Sequence, residues 1–444
     1  MKTVLTQLLQ IPADTEEHPV VVKHFRRNFI ANFFDVAIFF FGDGFAAAYT
    51  ILPVFVSIFT DSPILIALVP AVTEAGWFLP QMFMAPFVER QPRLKSLVLK
   101  TGAFERMSYL FLALGAFFLP RMDSKIALVV ILFLVVYKAF ISGFVALPWQ
   151  EIVAKVIPVS HRGRFYGWSM LFGKVLGIGG AALTGYYLSN LSFPENYGVT
   201  FLTGFIVLMM GLASFAMTIE PEKIVLPAQQ KQVKKEHKAR KILSQDTPFR
   251  NFVISRFLSY IGYMAFGLFA VYGINKFDLP TAYSATFTMV LIAGNILGYA
   301  VFGEVGDRIG NKFVFATSDV LMAIGLLIAL FANSLAGLLV IFVLVGVAQS
   351  GAIIADMNMV MEFSHPQDRP TYMGVFKTFT GPGFLISPLI GGSLVEIFGY
   401  KTMFFVSFLI LLAAFIVLVA FVPEPRNTKP NSELSTYENS EIRS

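Results

Sequence analysis

Long apolar stretches, separated by short polar segments, constrain this chain more than any other feature of its sequence. There are twelve of them. Each is long enough to cross the hydrocarbon layer of a bilayer, which takes about 20 helical residues. We therefore expect an all-α polytopic membrane protein with twelve transmembrane helices. The stretches cover residues 29–56, 62–87, 97–119, 124–147, 166–189, 196–218, 251–274, 280–304, 313–332, 335–361, 371–397 and 402–422.

The amino-acid composition also indicates that lipid is the main solvent of the chain. Only 14% of the 444 residues are charged and 56% are hydrophobic, whereas about a quarter of the residues of a soluble protein are charged. The net charge of +6 comes from lysines and arginines that are spread between the apolar stretches. This distribution is typical of the inner loops of membrane proteins, and we expect no nucleic-acid partner. Because the chain has no cysteine, disulfides, thiolate metal sites and cysteine nucleophiles are excluded.

The polar segments indicate how the chain crosses the membrane. The first apolar stretch follows 28 mostly polar residues and shows no clear small-residue cleavage site, so we do not expect a cleaved signal. If both termini are cytoplasmic, the short inner loops carry nine lysines and arginines and the short outer loops carry four. Because positive residues concentrate on the cytoplasmic side, we predict a multi-pass protein of the plasma or inner membrane with both termini in the cytoplasm.

The longest polar segment between apolar stretches, residues 220–250, leaves six stretches before it and six after it. It carries eight bases and four acids and is predicted to be a solvated cytoplasmic linker. An amphipathic helix lying on anionic lipid is the alternative. The predicted parts are a cytoplasmic N-terminal segment (1–28), a six-helix bundle (29–218), the linker (219–250), a second six-helix bundle (251–422) and a cytoplasmic tail (423–444).

Short sequence matches between the two halves indicate an internal duplication. Four matches occur in the same order, at offsets of 207 to 223 residues. Together they predict two copies of a six-helix bundle in parallel topology. The matched pairs are RNFI (27–30) with RNFV (250–253), Glu89-Arg90 with Asp307-Arg308, ISG (141–143) with QSG (349–351), and RGRFYG (162–167) with RPTYMG (369–374).

The segment FGEVGDRIGNKF, residues 302–313, concentrates glycines, acids and bases between two apolar stretches. It resembles the signature loop of the major facilitator superfamily of secondary transporters, Gly-x-x-x-Asp-Arg-x-Gly-Arg-Arg. In that family the loop joins helices two and three, with a weaker copy between helices eight and nine, whereas this chain has the fuller copy in its second half. The resemblance covers about residues 27–422, is greatest to prokaryotic members, and implies two pseudo-symmetric six-helix bundles.

Signatures of individual subfamilies are not met, so the subfamily stays unassigned. EPEK (220–223) and PEPR (423–426) follow the sixth and twelfth stretches but fall short of the sugar-porter signatures. Drug antiporters carry an arginine four residues before a glycine in helix four, whereas Lys138 precedes Gly143 by five. The glycine-rich segment 173–185 lacks the proline of the antiporter motif in helix five.

The family resemblance implies that the signature loop is a latch, which holds the two bundles together on the cytoplasmic side in one state and releases them in another. Gly303, Gly306 and Gly310 are expected to form a tight turn. An acid there can lie against the N-terminus of a neighbouring helix while the adjacent arginine pairs with another acid. A short basic inner loop without such a role is the alternative. The candidate gate residues are Glu89, Arg90, Arg162, Gly303, Asp307, Arg308, Gly310, Lys312 and Arg369.

Ionisable residues inside the apolar stretches are candidate functional residues, because a charge is costly at membrane depth. There are six acids and six bases, enough to pair fully. Structural ion pairs are expected of Glu105, Arg106 and Lys174. Helices one, four, seven and ten line the cavity in the family. These helices and the midplane acid of helix two supply the candidate substrate and coupling residues: Asp35, Asp43, Glu74, Lys138, Arg256, Tyr260, Tyr263, Gln349 and Asp356. The other intramembrane charges are Lys100, Asp319 and Lys377.

Depth along the helices predicts which of these charges meet. At a rise of about 1.5 Å per residue, Asp35 lies in one layer with Glu105-Arg106 and with the lysines of helices four and five. Asp43 and Glu74 lie nearer the midplane, and the sequence offers them no evident partner. An unpaired acid at that depth can carry a proton, and we hypothesise proton coupling through Asp35 or Asp43. Sodium coupling is the less favoured alternative, and a histidine relay is not expected, because none of the five histidines lies well inside a stretch.

Together these features predict a secondary active transporter that moves a small organic solute by alternating access. The 48 phenylalanines and few amides of the spans favour an amphipathic solute, and efflux is slightly favoured over uptake. The alternatives are a sugar or other polar-metabolite symporter of the same fold and, from other classes, a channel, a receptor or a polytopic membrane enzyme. HPQD (365–368) has a histidine and an acid but no nucleophile beside them. We expect no enzyme activity, cofactor or metal, and a monomer surrounded by lipid.

Overall fold

The computed structural model describes residues 19–222, 242–365 and 368–427, and in these ranges it is helical with short connections and no strand. The predicted all-α fold class is therefore confirmed. The amphipathic-helix alternative for the linker concerns residues 223–241, which lie outside the described residues, as do 1–18 and 428–444. The side chain of Glu89 also lies outside the described part.

Fourteen α-helices, numbered here in chain order, make up the described residues. They are α1 (Pro19–Asp43), α2 (Ile51–Ser57), α3 (Pro63–Glu89), α4 (Lys95–Phe118), α5 (Ser124–Val156), α6 (Val159–Asn190), α7 (Glu195–Phe215), α8 (Thr247–Gly262), α9 (Phe269–Phe277), α10 (Tyr283–Arg308), α11 (Asn311–Phe331), α12 (Leu335–Phe363), α13 (Arg369–Phe398) and α14 (Tyr400–Phe421).

Ten helical segments of the described chain are long and apolar enough to cross a membrane. They coincide with ten of the twelve predicted stretches. The other two stretches also form helices, α1 with α2 at 29–56 and α6 at 166–189, but these are less apolar. Basic residues crowd the start of α1, and α6 is rich in glycine and polar side chains. A polytopic helical protein is confirmed, and apolarity alone finds fewer spans than the twelve predicted.

The first long helix of each half is broken. The stretch at 29–56 forms α1 and α2 with a turn at 44–50 between them, and the stretch at 251–274 forms α8, a 3₁₀ turn at Tyr263–Ala265 and α9. The two breaks begin at Gly44 and Tyr263, 219 residues apart, within the range of offsets of the sequence matches. The internal duplication is therefore visible in the local structure, and each of these two predicted helices is in fact two.

The chain gathers into two compact units. The first unit consists of Met1–Ala228 and Gly267–Ile292, and the second of Gln229–Phe266 and Ala293–Ser444. Helix α9 and the first part of α10 thus belong to the first unit, although they follow the linker in the sequence. The six-plus-six domain boundaries stay a prediction.

In the first unit, α3 and α5 approach each other at backbone distance. Gly143 of α5 lies against the carbonyl oxygen of Gly76 and the ring of Pro80, both in α3. A Cβ at Gly143 would come 2.8 Å from Cδ of Pro80, closer than carbon atoms can pack. Small residues allow membrane helices to approach in this way. The contact fixes the position of α5, which carries Lys138 and Trp149 of the site described below.

In the second unit, a core of aromatic side chains holds α8 against α11 and α13. Phe252 of α8 is fully buried. Its ring stacks on Phe376 of α13 with 5.4 Å between the centroids and meets Phe315 of α11 edge-on at 5.9 Å. Such aromatic pairs add to the stabilisation from burial. Because Phe252 is anchored on both sides, Arg256, one helical turn later in α8, is held beside α11.

Candidate functional site

Two acids share one arginine in the interior of the first unit. Nη1 of Arg106 forms a salt bridge with Oε2 of Glu105, its neighbour in α4, and Nη2 lies 3.7 Å from Oδ1 of Asp35 in α1. Trp149 of α5 donates its indole N–H to Oδ2 of Asp35 at 2.9 Å. Ser142 of α5 donates to Oε1 of Glu105 at 2.7 Å. The three charged residues are at most 5% exposed, and their pairing offsets part of the cost of desolvation.

The depth estimate from the sequence is correct for this cluster. It placed Asp35, Glu105 and Arg106 in one layer, and the structure brings these side chains together. The lysines of that layer have other contacts. Lys138 lies 4.0 Å from Asp43, and the ammonium of Lys174 lies 4.8 Å from the ring centre of Phe40. Of the three expected structural ion-pair residues, Glu105 and Arg106 are paired as expected, whereas Lys174 lies over the ring of Phe40.

Asp43 and Glu74 form a second polar group in the first unit, at the end of α1 and in the middle of α3. Nζ of Lys138 is 4.0 Å from Oδ1 of Asp43, whose side chain is 45% exposed. Tyr49, in the break between α1 and α2, donates its hydroxyl to Oε1 of Glu74 at 2.6 Å. The sequence offered these two acids no evident partner, and the structure places one beside each of them. Helix breaks put Tyr49 beside α3, and a continuous helix through 29–56 would not predict that contact.

Arg256 organises the interior of the second unit. Its Nε lies 2.7 Å from Oδ1 of Asp356 in α12, and its Nη2 donates to Oδ2 at 2.8 Å. Tyr260 donates its hydroxyl to the same Oδ2 at 3.0 Å, and the guanidinium lies 3.9 Å from the centre of its ring. The planar guanidinium thus combines a two-point ion pair with stacking on an aromatic face. The sequence placed these three residues and Tyr263 among the site candidates, and the structure brings them together.

Asp319 of α11 completes this cluster and was not among the candidates. Ser259 donates to its Oδ2 at 2.7 Å, and Tyr263 donates to its Oδ1 at 2.8 Å. Asp319 is 1% exposed. The sequence signal was available, since Asp319 is one of the six intramembrane acids, but the candidates came from helices one, four, seven and ten and from the midplane acid of helix two. The break after α8 turns Tyr263 towards Asp319.

Gln349, another candidate, lies in a separate contact. Asn295 of α10 donates to the side-chain oxygen of Gln349 at 3.2 Å and to the carbonyl oxygen of Gly346 at 2.7 Å. These three residues join α10 to α12 within the second unit. The arrangement satisfies buried amide groups.

The signature loop is shorter than expected. Helix α10 continues through Gly303 and Gly306 to Arg308, so the turn consists of Ile309 and Gly310 alone. Gly310 has a φ of +127°, a backbone conformation that glycine adopts readily and other residues rarely adopt. A Cβ at Gly310 would also come 2.8 Å from the carboxylate of Glu424. The expected role of three glycines in a tight turn is therefore wrong for Gly303 and Gly306, which lie in the helix.

The charged residues of this loop have contacts within the second unit. Arg308 pairs with Glu304 one turn earlier in α10, and both side chains are exposed. Arg426 donates to the carbonyl oxygen of Asp307 at 2.9 Å. Lys312 donates to the carbonyl oxygen of Val419, near the end of α14, at 3.2 Å. The bond described for Asp307 thus involves its backbone, while its side chain is exposed.

Glu220, which follows α7, binds the loop between α3 and α4, the place in the first unit that corresponds to the signature loop of the second. Its carboxylate accepts from the backbone N–H groups of Leu94 and Lys95 at 2.8–2.9 Å, at the N-terminus of α4, and from Nζ of Lys155 at 2.5 Å. An acid at a helix N-terminus satisfies free N–H groups and meets the positive end of the helix dipole. Because EPEK falls short of the sugar-porter signature, the sequence predicts no role for Glu220.

A related group lies at the N-terminus of α11 in the second unit. Oε1 of Glu362 accepts from Asn311 at 2.7 Å and from Nε of Arg426 at 2.9 Å. Glu424 lies next to them, against Gly310. Burial raises the pKa of the Glu424 carboxyl, and the charge of Glu362 raises it further, while Arg426 and Lys312 lower it. The residues PEPR after α14 thus bind the signature loop of their own unit.

The other gate candidates are helix-end residues. Arg162 donates through Nε to the carbonyl oxygen of Ile157 at 3.0 Å and through Nη2 to that of Ala154, which satisfies carbonyl groups at the end of α5. Arg90 is the exposed residue that ends α3, and Arg369 is the exposed first residue of α13. Among the described residues, no group of three or more histidines, aspartates and glutamates is arranged to hold a metal ion.

Comparison with known sequences identifies a family model and several relatives that each match part of the chain. Residues 252–443 match the family model of the Major Facilitator Superfamily. The multidrug resistance protein MdtG of Proteus mirabilis is 32% identical over 144 residues, which are 32% of this chain and 34% of that protein. The niacin transporter NiaP of Acinetobacter baylyi is 26% identical over 151 residues, 34% of each chain. The match with each of these relatives thus covers 34% of the relative's length.

Comparison with solved structures extends over nearly the whole chain. A D-xylose-proton symporter is 13% identical and matches with a TM-score of 0.68 over 90% of this chain and 99% of its own. The nucleoside transporter NupG is 13% identical and matches with a TM-score of 0.62 over 89% of this chain and 98% of its own. At such identities the likeness shows the fold. The match of residues 252–443 to the family model and the fold shared with these structures agree with the resemblance to the Major Facilitator Superfamily first noted in the signature loop.

Proposed function

We propose that the protein is a secondary active transporter that moves a small organic solute across the plasma or inner membrane by alternating access, with both termini in the cytoplasm. The observation that carries this proposal is a cluster of buried charges in each of two units of a membrane-spanning fold. Charges at that depth are costly and are retained where they bind a solute or an ion. NiaP and the solved structures reported above are named as transporters or symporters, and MdtG as a multidrug resistance protein, so the enzyme alternative is set aside.

The proposed solute is amphipathic and organic. In the first unit, the half-exposed Asp43 lies beside Lys138, and the 48 phenylalanines of the chain provide apolar surroundings. MdtG is named a multidrug resistance protein, NiaP a niacin transporter, and a further relative from Clostridioides difficile a riboflavin transporter. These names favour small aromatic or amphipathic solutes over a sugar and agree with efflux as the direction. A polar-metabolite symporter remains the second candidate, because the D-xylose-proton symporter shares the fold.

Proton coupling is part of the proposal, with Asp35 or Asp43 as carrier in the first unit. The two acids differ in environment. Asp35 is 4% exposed and hydrogen-bonded to Trp149, whereas the side chain of Asp43 is 45% exposed. Asp43 is thus the acid that a solute can reach directly, and a cationic solute that competes with the proton for Asp43 would produce antiport.

The test uses purified protein in proteoliposomes with a fluorescent amphipathic cation as probe and an imposed pH gradient. We expect the probe to accumulate against its own gradient in wild type, and the accumulation to collapse with a protonophore. Asp61→Asn, an exposed acid in the loop after α2, serves as the matched control and should behave as wild type. Probe movement that is the same in liposomes with and without the protein would contradict transport of this solute class. A parallel assay with a labelled pentose decides for or against the sugar candidate.

A further inference from the structure

The buried cluster of the second unit contains one more acid than base. It consists of Arg256 with two carboxyl groups, those of Asp356 and Asp319, and the tyrosines and serine around them are neutral. If both acids were ionised, the cluster would carry a net negative charge. It would carry that charge in the interior, where Arg256 is 2% exposed and Asp319 is 1% exposed. An uncompensated charge in such a place is unstable, and the group binds a proton instead.

The geometry identifies which acid is neutral. Arg256 is bound to Asp356 through two nitrogen–oxygen contacts of 2.7 and 2.8 Å. In the described part of the chain, the hydrogen bonds to Asp319 come from two hydroxyl groups, those of Ser259 and Tyr263. The guanidinium reaches towards Asp319 through Tyr263, whose hydroxyl accepts from Nη1 of Arg256 at 3.4 Å and donates to Asp319 at 2.8 Å.

Each contact around Ser259 and Asp319 has a hydrogen atom when Asp319 is protonated. The hydroxyl of Ser259 has one hydrogen, yet two acceptors are in range: Oδ2 of Asp319 at 2.7 Å and the carbonyl oxygen of Ser255 at 3.2 Å. With Asp319 ionised, one of these contacts has no hydrogen. With a proton on Oδ2, Asp319 donates to Ser259, Ser259 donates to Ser255, and Tyr263 donates to Oδ1.

In the described part of the chain, the salt bridges and hydrogen bonds of the cluster involve no further charged residue. Helix α8 contributes Arg256, and α12 contributes Asp356, whereas Glu362 near the end of α12 is paired with Arg426. Helix α11 itself carries one other charged residue, Lys312, whose Nζ is bonded to the carbonyl oxygen of Val419. Helix α14, which also packs on α11, carries one, the exposed Lys401 at its start. The first unit differs, because Arg106 lies against both of its acids.

We propose that Asp319 is a proton-binding site of the second unit, and that its proton is held while Arg256 is paired with Asp356. On release, the Oδ2–H bond breaks and the proton passes to water admitted by the opened site. The carboxylates of Asp319 and Asp356 then share the one guanidinium of Arg256, and the admitted water solvates the remaining negative charge. The role of this site in transport coupling rests on the proposed function. The site at Asp319 adds a proton-binding acid in the second unit to the carrier acids proposed in the first unit.

Infrared spectroscopy of the purified protein in lipid nanodiscs tests the site without any solute. The carbonyl stretch of a protonated carboxyl group is resolved from that of a carboxylate and of an amide. We expect Asp319→Asn to remove one protonated-carboxyl band at neutral pH. Asp356→Asn should also remove one band, because the single remaining acid then pairs with Arg256 and ionises. Arg256→Gln should add one band, since neither acid has a cation. Asp61→Asn is the control and should change nothing.

An unchanged protonated-carboxyl region in Asp319→Asn would overturn the proposal. If that variant does not fold, Ser259→Ala and Tyr263→Phe remove the hydrogen-bond partners of the same group and should shift the frequency of its band; unshifted bands in both would overturn it equally. Failure of the proposed function has a different signature. Wild-type protein that moves no probe in proteoliposomes contradicts transport, whereas the infrared result depends on Asp319 alone.

Discussion

Lys155 and Glu362 occupy corresponding positions in the two halves, because they lie 207 residues apart, the same offset as RGRFYG and RPTYMG. They carry opposite charges, and each forms a salt bridge. Lys155, near the end of α5, pairs with Glu220 after α7 at 2.5 Å, and Glu362, near the end of α12, pairs with Arg426 after α14 at 2.9 Å. Each pair ties the segment that follows the last helix of a half to an earlier helix of the same unit. The two halves thus have salt bridges at corresponding positions, with the signs of the two partners reversed.

Glu220 also accepts hydrogen bonds from backbone N–H groups. We therefore expect that swapping the charges of Lys155 and Glu220 does not restore the stability of the first unit. Lys155→Met leaves a carboxylate that is 2% exposed without its cation, which costs about 3–5 kcal/mol. The double variant Lys155→Glu with Glu220→Lys restores a pair but loses the bonds to Leu94 and Lys95. Thermal unfolding should therefore show both variants below wild type. A double variant that unfolds at the wild-type temperature would contradict the role of Glu220 at α4.

Gly310 and Gly303 provide a matched pair for the signature loop. Gly310→Ala places a side chain at a φ of +127° and against Glu424, and we expect a loss of about 1–3 kcal/mol. Gly303→Ala adds a methyl group with nothing within 4 Å inside α10, and we expect a gain of up to about 1 kcal/mol. Unfolding temperatures of the two purified variants measure the difference. Equal shifts would mean that the loop conformation described for Gly310 is not the one in solution.

The carboxyl of Glu424 should make stability depend on pH. Burial raises its pKa in the folded protein above the ordinary glutamate value of 4.5, so the folded state binds the proton more tightly than the unfolded state. The stabilisation of the folded state by the protonated Glu424 is complete below pH 4.5 and is lost as the pH rises through the raised pKa. Glu424→Gln cannot titrate and should keep its stability over that range. Unfolding temperatures measured against pH for both proteins should converge in acid and separate as the pH rises.

Asp307→Asn tests the latch implied by the family resemblance. The bond from Arg426 goes to the backbone carbonyl of Asp307, so the substitution leaves that contact in place and removes only the exposed carboxylate. We expect normal folding and an altered balance between inward-open and outward-open states, measured as distances between spin labels on the predicted cytoplasmic side. Glu304→Gln, which removes the partner of Arg308, is the control. Distance distributions of Asp307→Asn that coincide with wild type would favour the short basic loop instead.

Asp43→Asn tests the proton carrier of the first unit. In proteoliposomes we expect it to abolish transport driven by a pH gradient while sparing downhill exchange of the probe, because exchange needs the solute site but no net proton movement. The same assay on Asp35→Asn shows which of the two acids carries the proton. Full gradient-driven transport in both single variants would exclude Asp35 and Asp43 as proton carriers. Glu74, which accepts a hydrogen bond from Tyr49 at 2.6 Å, then becomes the next candidate.

Several features of the fold and site were predictable from the sequence, because they depend on local properties. The length and apolarity of a stretch decide whether it can cross a membrane, and ten of the twelve predicted stretches form such helices. A fixed rise per residue predicted that Asp35, Glu105 and Arg106 lie in one layer, and the structure brings their side chains together. The spacing of glycine, aspartate and arginine at 303–308 was sufficient to indicate the superfamily.

The partners of the buried charges were decided by tertiary structure, because they depend on which helices pack together and where a helix breaks. The break at 44–50 places Tyr49 beside Glu74, and the 3₁₀ turn at Tyr263 places its hydroxyl on Asp319. No property of Asp319 in the sequence distinguishes it from the other intramembrane acids. Its two hydroxyl partners, and an arginine bound to another acid, exist only when α8, α11 and α12 are packed together.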